Sequence, residues 1–281
     1  MRVLVTGAAG MVGRAVCEVC RASGDTVLAY NHRGLDIANA GDVLKTLRED
    51  QPDVVINCAA WTDVDGCERD RERAFAANAH GPENLANASN ELNSAFVTIS
   101  TDYVFDGTKD GFYTEMDQPN PQSVYGLSKL EGERLTKRAY PATIVVRSGF
   151  IFGPGGTNFL STIVERARRG EKIKAIIDAY GTPTYSHDLA LRLRELAQLN
   201  HPGVFHVANA GEGMSYEQFA REAILMAGCV GVDVEGIQMD SLKRPAPRPS
   251  NSRLRSLNSE VIGLSPLPCW RDSLSAFVCE R

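Results

Sequence analysis

The sequence predicts an α/β fold in which a doubly wound parallel sheet is covered by helices on both faces. Three observations support this prediction. Short apolar runs recur along the first half of the chain, segments with a helical pattern separate them, and a glycine-rich turn follows the first run. Strands that alternate with helices pair in parallel. The predicted strands cover residues 3–5, 26–30, 54–57, 95–100 and 142–147.

The first turn carries three glycines at a spacing that suits a dinucleotide. Gly7, Gly10 and Gly13 follow the first strand, and a helix that includes Met11 and Val12 begins among them. Such glycines allow a tight turn, a close approach of a ligand to the backbone, and close packing of the helix on the strand. The unpaired N–H groups of a helix start favour a pyrophosphate. We therefore expect a Rossmann-like dinucleotide site at these five residues.

The regular alternation ends near Phe150. We predict a dinucleotide-binding Rossmann domain over residues 1–150, and a smaller C-terminal α/β lobe over 151–281 that binds the substrate, with some segments returning to the first sheet. A loop over 101–123, rich in Gly, Pro, Asp and Asn, is long enough to suggest a functional role. Helices are predicted over about 70–93, 123–138, 159–169 and 216–228 and from residue 187, and a late strand over 204–209.

The composition excludes several classes of protein. The formal net charge of −5 is spread over mixed charges, so no basic run indicates nucleic acid or a membrane surface. No run approaches the ~20 apolar residues of a membrane span, and the first strand follows Met1 directly, so we expect a cytoplasmic protein. Cys17 and Cys20 lack a second pair at zinc spacing, so we expect reduced thiols and no metal site.

Tyr125 and Lys129 lie four residues apart on a predicted helix, so their side chains project from the same face. A nearby ammonium lowers the pKa of a phenol from its ordinary value of about 10, which suits a general acid. The fourth strand ends at Ser100 and Thr101, at the edge where open α/β sheets bind ligands. Thr101 is therefore a candidate to share a carbonyl oxygen with Tyr125.

These residues, together with further motifs, resemble a known family. The glycine turn, Tyr125, Lys129 and Asn78 in NAHGPENLA resemble the extended short-chain dehydrogenase/reductases over nearly the whole chain. Within that superfamily, five segments of this sequence resemble the dTDP-4-dehydrorhamnose reductase family. They are STDYVFDG at 100–107, AAWTDVDGCE at 59–68, E-x-D-x-P at 115–119, GTPTYSHDLA at 181–190 and RPSNSRL at 248–254. The resemblance implies reduction of the C4 keto group of a dTDP-linked deoxysugar by a reduced nicotinamide cofactor, which gives dTDP-L-rhamnose.

The resemblance also implies roles for single residues. Tyr125 would protonate the keto oxygen, Lys129 would hold the nicotinamide ribose and tune Tyr125, and Thr101 would polarise the carbonyl. Thr101 and Asp102 would also contact the sugar. Sugar-nucleotide dehydratases carry an acidic pair after the threonine, whereas here Asp102 is followed by Tyr103. Simple reduction is therefore favoured over dehydration.

The cofactor prediction depends on the end of the second strand. An acid there would bind the adenine ribose 2′-hydroxyl, but Tyr30 occupies the position and His32 and Arg33 follow it. A guanidinium pairs well with a 2′-phosphate, so we predict a preference for NADP(H), with NAD(H) as the alternative. Arg33 as a solvated loop charge is the competing interpretation. By resemblance, the adenine and the path of the cofactor are lined by Asp36, Ile37, Ala59, Ala60 and Trp61.

Three residues are candidates to bind the substrate outside the catalytic set. Phe150 stands where many of these reductases have a tryptophan that packs on the sugar ring. Arg244 and Arg248, in a proline-rich segment, are candidates for the diphosphate of a sugar nucleotide. Core packing of Phe150 and incidental surface charge at the two arginines are the alternatives.

Two alternative functions stay open at this level. Another nucleotide-sugar ketoreductase or epimerase would use the same three catalytic residues. A non-catalytic regulatory subunit, like the relative of these reductases that serves methionine adenosyltransferase, would keep the nucleotide site without turnover. The sequence also leaves a homodimer open.

Overall fold

Strands and helices alternate along the chain. The computed structural model describes residues 1–229 and 231–279, and no helix within those residues is long and apolar enough to cross a membrane. The strands are β1 (Arg2–Thr6), β2 (Thr26–Tyr30), β3 (Val54–Asn57), β4 (Ala95–Thr101), β5 (Ile144–Ser148), β6 (Ile151–Phe152), β7 (Ile173–Ile176), β8 (Tyr180–Gly181), β9 (Thr184–Tyr185), β10 (Gly203–His206), β11 (Met214–Ser215) and β12 (Val234–Ile237). The helices are α1 (Met11–Ala22), α2 (Ala40–Asp50), α3 (Val64–Arg69), α4 (Arg71–Phe75), α5 (Gly81–Leu92), α6 (Val124–Ala139), α7 (Phe159–Arg168), α8 (Ser186–Leu199), α9 (Tyr216–Met226), α10 (Asn258–Val261) and α11 (Trp270–Cys279).

Six strands form one parallel sheet in the order β10-β5-β4-β3-β1-β2. Helices α1 and α8 pack on one face, and α2 and α5 pack on the other. This is the doubly wound, Rossmann-like α/β fold that the sequence predicts. The chain moves outward from β1 in both directions, so the carboxyl ends of β1 and β3 open the crevice in which such sheets bind ligands.

The carboxyl edge of the sheet is held by a row of buried polar side chains. Thr6 Oγ1 donates to Asn57 Oδ1 at 2.7 Å, and Asn57 Nδ2 donates to Thr98 Oγ1 at 3.0 Å. The three residues lie side by side on β1, β3 and β4. Because each buried group has a partner, the row costs little desolvation and fixes the strands where ligands are expected.

The helical region predicted as one segment over 70–93 is interrupted. Helix α3 ends at Arg69, and Asp70 then caps α4 by accepting a hydrogen bond from the N–H of Arg73 at 3.0 Å. A π-helical turn, Ala76–His80, separates α4 from α5. Such turns shift the helical register and often occur at functional sites. Here the turn carries Asn78, which is 1% exposed.

The part of the chain after Phe150 has its own core. Helices α7, α9 and α11 pack around the parallel pair β7 and β12, with Phe152, Phe219 and Trp270 fully buried between them. Two later segments, β10 and α8, return to the central sheet. The strands β7 and β12 and the helix α11 are absent from the sequence-based description, because four-residue strands such as IKAI and VEGI carry little periodicity.

The loop over 101–123 is anchored rather than free. The Glu115 carboxylate accepts hydrogen bonds from the N–H groups of His206 and Leu257 and from Ser256 Oγ, each at 2.8 Å. The Asp117 carboxylate accepts from Lys109 Nζ at 2.7 and 2.8 Å. The E-x-D-x-P pattern therefore holds the loop against β10 and the C-terminal segment.

Candidate active site

The glycine turn after β1 leaves no room for side chains. Gly7 has a φ of +64°, and a Cβ there would lie 2.6 Å from the backbone nitrogen of Ala59. A Cβ on Gly13 would lie 2.2 Å from the carbonyl oxygen of Gly7. Gly10 is exposed and immediately precedes α1. Because Gly10 has no side chain, it does not cap the N–H groups at the start of this helix. An open helix start beside a tight turn fits the pyrophosphate of a dinucleotide.

A second loop lies over the start of α1. Met11 Sδ accepts a hydrogen bond from Ser161 Oγ at 3.4 Å, and Arg14 donates to the carbonyl oxygen of Gly155 at 2.8 Å. Val12 packs against the core beneath the sheet. Met11 therefore lies at the rim of the expected cofactor site, whereas Val12 contributes to its floor.

The residues expected around the adenine divide into two groups. His32, Arg33 and Asp36 are exposed in the loop after β2, where Asn31 Oδ1 accepts a hydrogen bond from the N–H of Arg33 at 3.0 Å. Ile37 behaves differently, because its side chain is only 6% exposed and packs in the core between α2 and α5. The expected place of Ile37 beside the adenine stays a prediction.

The segment with Ala59, Ala60 and Trp61 is fixed by Asn78. Asn78 Oδ1 accepts from the N–H of Trp61 at 2.8 Å, and its Nδ2 donates to the carbonyl oxygen of Trp61 at 3.0 Å and to Ser128 Oγ at 3.1 Å. The side chain therefore joins the end of β3 to helix α6. Asn78 therefore supports the segment after β3 through its side-chain hydrogen bonds.

The three expected catalytic residues meet at the carboxyl end of β4. Ser123 Oγ caps α6 by accepting from the N–H of Gly126 at 3.1 Å, which begins the helix just before Tyr125. The Thr101 side chain acts on the Tyr125 phenol and lowers its pKa, and Thr101 Oγ1 donates to Asp102 Oδ1 at 3.0 Å. Lys129, 4% exposed, donates to the carbonyl oxygen of Ile99 at 2.6 Å. Tyr125, Lys129 and Thr101 thus form one cluster at the rim of the sheet.

Burial dominates the electrostatics of this cluster. It raises the pKa of Tyr125 well above its ordinary value, and Thr101 opposes this only in part. The lowering of that pKa by Lys129, which the sequence suggests, stays a prediction. Burial also lowers the pKa of Lys129 to about 8 and raises that of Asp102 to about 6. The phenol therefore keeps its proton at neutral pH, as a proton donor must.

Phe150, Arg244 and Arg248 line one narrow cleft, together with Tyr103 and Tyr216. This cleft adjoins the expected catalytic cluster, because the ring of Tyr103 lies edge-on to that of Tyr125 with their centroids 6.0 Å apart. The expected substrate residues are therefore brought together. Sequence reasoning missed Tyr216, whose only signal is an aromatic residue at the start of a predicted helix.

Arg248 is partly committed within the protein. The Asp65 carboxylate accepts from its two terminal nitrogens at 2.9 and 3.1 Å, and also from the N–H of Ala246 at 3.1 Å. The hydrogen bonds from Arg248 hold the pKa of Asp65 below its ordinary value. Arg244 is exposed at the mouth of the same cleft. Arg248 is thus a fixed positive charge of the wall, and Arg244 is an adaptable one.

Comparison with known proteins agrees with this geometry. The family model described as the RmlD substrate binding domain matches residues 1–281. The dTDP-4-dehydrorhamnose reductase of Mycolicibacterium smegmatis is 39% identical over 97% of this chain and 84% of its own length. This chain belongs to the dTDP-4-dehydrorhamnose reductase family. The resemblance seen in the sequence motifs is thereby confirmed.

Two further relatives are named for a cofactor or for a substrate. The structure of dTDP-4-dehydrorhamnose reductase from Bacillus anthracis in complex with NADP is 32% identical, has a TM-score of 0.95, and aligns with 100% of this chain and 99% of its own. A probable dTDP-4,6-dihydroxy-2-methyloxan-3-one 4-ketoreductase from Streptomyces antibioticus is 37% identical over 98% of this chain and 93% of its own length. Relatives of the dTDP-4-dehydrorhamnose reductase family are thus named for more than one keto sugar.

Proposed function

We propose that this chain reduces the C4 keto group of dTDP-4-dehydrorhamnose to give dTDP-L-rhamnose, with NADPH as the preferred reductant and NADH as the alternative. The observation that carries the proposal is the cluster of Thr101, Tyr125 and Lys129 between the glycine turn and the aromatic cleft. Membership of the reductase family and the printed names of the relatives support the choice of substrate.

The residues of this chain have separate tasks in the proposed reaction. The glycine turn, the open start of α1 and the Ala59–Trp61 segment fit a nicotinamide dinucleotide, which supplies a hydride when bound. Tyr125 donates its phenolic proton to the C4 oxygen of the sugar. Thr101 turns its single hydroxyl proton from Asp102 Oδ1 to the same oxygen. Lys129 would hold the ribose hydroxyls of the nicotinamide cofactor.

Residues of the cleft would bind the parts of the substrate outside the keto group. Phe150 and Tyr216 would pack on the sugar, and Asp102 would accept from its hydroxyl groups. Arg244 would bind the diphosphate, since a guanidinium matches phosphate oxygens in a bidentate geometry, and Arg248, which Asp65 holds in place, would add its positive charge beside it. The proposal includes the cytoplasmic location expected from the sequence, which cell fractionation tests. It also includes the homodimer that the sequence leaves open, which light scattering of the purified chain tests.

The decisive experiment is a turnover assay with enzymatically prepared dTDP-4-dehydrorhamnose. Loss of absorbance of the reduced nicotinamide is followed with NADPH and with NADH. Tyr125→Phe should lower kcat by about 100-fold or more while NADPH still binds, because general acid catalysis contributes about 10²–10⁴-fold. Tyr140→Phe, at the other end of α6, is the matched control and should leave kcat unchanged. Full turnover by Tyr125→Phe would contradict the proposed role.

A second candidate is reduction of a different dTDP-linked keto sugar, which the Streptomyces antibioticus relative favours. A panel of dTDP-linked 4-keto sugars separates the two, because the true substrate should give the highest kcat/KM. No oxidation of NADPH with any of them, combined with capture of a stoichiometric synthetase partner, would point instead to a regulatory subunit.

A further inference from the structure

A buried carboxylate lies one helical turn beyond Lys129. Glu133 is 5% exposed, and residues four apart on a helix project from the same face. Its side chain therefore follows that of Lys129 down the face of α6 that covers β4. The mechanism given above assigns it no task.

Glu133 is bound on every side by buried donors. Its Oε1 accepts from Ser100 Oγ at 2.5 Å and from Arg147 Nε at 2.9 Å, and its Oε2 accepts from a terminal nitrogen of Arg147 at 2.7 Å. Arg147 is itself 5% exposed. A buried pair of this kind adds little net stability over apolar residues of the same volume, because desolvation of two charges offsets their attraction. Stability alone is therefore a weak reason for its presence.

The contacts of Glu133 and Lys129 fall on neighbouring residues of β4. Lys129 Nζ donates to the carbonyl oxygen of Ile99, and Glu133 accepts from the side chain of the next residue, Ser100. The residue after that is Thr101, whose side chain acts on the Tyr125 phenol. Two consecutive residues of β4 thus hold two consecutive turns of α6, next to Thr101.

Glu133 is also the negative charge that acts on the Lys129 ammonium. Cys58, at the end of β3, faces Lys129 as well, but burial raises the pKa of its thiol and leaves it uncharged. Arg147 on β5 lies beyond the carboxylate, and His206 on β10 is neutral because burial lowers its pKa to about 4. Burial lowers the pKa of Lys129 to about 8, and Glu133 opposes that shift.

We propose that Glu133 is a positioning residue that keeps Lys129 protonated and fixed against β4, one helical turn from Tyr125, with Arg147 and Ser100 holding the carboxylate in place. The inference rests on the proposed function for its catalytic consequence. The charge state of Lys129 itself can be tested by measuring the binding of NADPH without a sugar substrate.

The test compares Glu133→Gln with Glu131→Gln. Glu131 lies on the same helix but is partly exposed and pairs with Arg134 at 3.6 Å, so its substitution removes one carboxylate without touching the buried pair. NADPH affinity is measured by fluorescence between pH 6 and 10. In Glu133→Gln the decline of affinity at high pH should move downward by about one pH unit, because the ammonium loses its neighbouring negative charge. Glu131→Gln should follow the parent profile.

A double variant separates charge from folding. Glu133→Gln leaves Arg147 buried without its partner, which destabilises the protein, whereas Glu133→Gln/Arg147→Met removes both charges at similar volume. The double variant should also show the downward shift in the NADPH profile. A folded variant with an unshifted profile would overturn the inference. A shifted profile in a protein whose parent turns over no dTDP-linked keto sugar would refute the proposed function and leave the role of Glu133 intact.

Discussion

The phenyl ring of Phe150 packs against the phenol ring of Tyr216, with their centroids 4.4 Å apart. Phe150 has a φ of +52°, a region that bulky residues rarely adopt and that costs about 1–2 kcal/mol. The ring fits because Gly181 lies behind it, where a Cβ would come within 2.4 Å of the ring. Backbone strain and a neighbouring glycine thus combine to aim Phe150 into the substrate cleft.

Truncation of Phe150 should weaken the binding of the sugar nucleotide without affecting the cofactor. We expect Phe150→Ala to raise KM for the sugar nucleotide by about 10-fold, because an aromatic anchor of a binding site contributes about 1–2 kcal/mol. The Kd of NADPH, measured by fluorescence, should stay within about twofold. Tyr216→Phe keeps the ring and serves as the control, with a smaller rise in KM. Equal KM values for Phe150→Ala and the parent would assign Phe150 to the core.

Neutralising Asp102 should stabilise the protein at neutral and alkaline pH. Burial raises its pKa to about 6 from the ordinary 3.8, so the folded state binds the proton more tightly than the unfolded state. Its contribution to stability is therefore full below about pH 4 and is lost as the pH rises through about 6. Asp102→Asn cannot ionise and should gain about 1–3 kcal/mol over the parent at pH 8, with little gain at pH 4.

Thermal unfolding of Asp102→Asn and the parent across this pH range measures the effect. The exposed Asp36→Asn is the control and should show no pH-dependent difference in Tm. A gain of the same size at pH 4 and pH 8 would show that ionisation of Asp102 does not cost stability.

Loss of the Asn78 side chain should loosen the wall of the cofactor site. Asn78→Ala removes both hydrogen bonds to the Trp61 backbone and the one to Ser128. We expect a loss of about 2–3 kcal/mol in the free energy of unfolding and a rise in the Kd of NADPH, because buried backbone groups lose their partners. Denaturant titration and cofactor fluorescence measure the two effects. The exposed Asn90→Ala is a control. An equal loss in the free energy of unfolding for Asn90→Ala would show that the hydrogen bonds of Asn78 contribute nothing particular to stability.

Arg33 should decide between the two nicotinamide cofactors. The nearby Tyr30 phenol donates to Asp50 at 2.6 Å and turns away from the loop, while the Arg33 side chain makes no ion pair within residues 1–229 and 231–279. Arg33→Ala should raise KM for NADPH by about 10-fold, because a guanidinium pairs with the 2′-phosphate, and should leave KM for NADH unchanged. Arg21→Ala on α1 is the control. An equal change with both cofactors would indicate a solvated loop charge.

Local sequence patterns account for much of the fold and for part of the site. Strands β1 to β5, the glycine turn and the Tyr125–Lys129 pair depend on contacts within a few residues, so their periodicity and spacing predict them. The predicted helical segment over 70–93 begins where Asp70 caps α4, but the π-helical turn at Ala76–His80 escaped prediction because it depends on long-range contacts, such as those of Asn78 with Trp61 and Ser128. The inward packing of Ile37 escaped prediction because a loop sequence does not show that Gly81 leaves room for its side chain.

The sequence by itself determined the parallel α/β sheet, the glycine turn after β1 and the placing of Tyr125 and Lys129 on one face of a helix, since each follows from short-range spacing. Only the tertiary structure decided that Phe150 meets Tyr216, that Asp65 holds Arg248, and that Glu133 contacts the strand residue next to the one that Lys129 contacts. It also decided that the pKa of the Tyr125 phenol is raised, because desolvation depends on every segment that excludes water from that site.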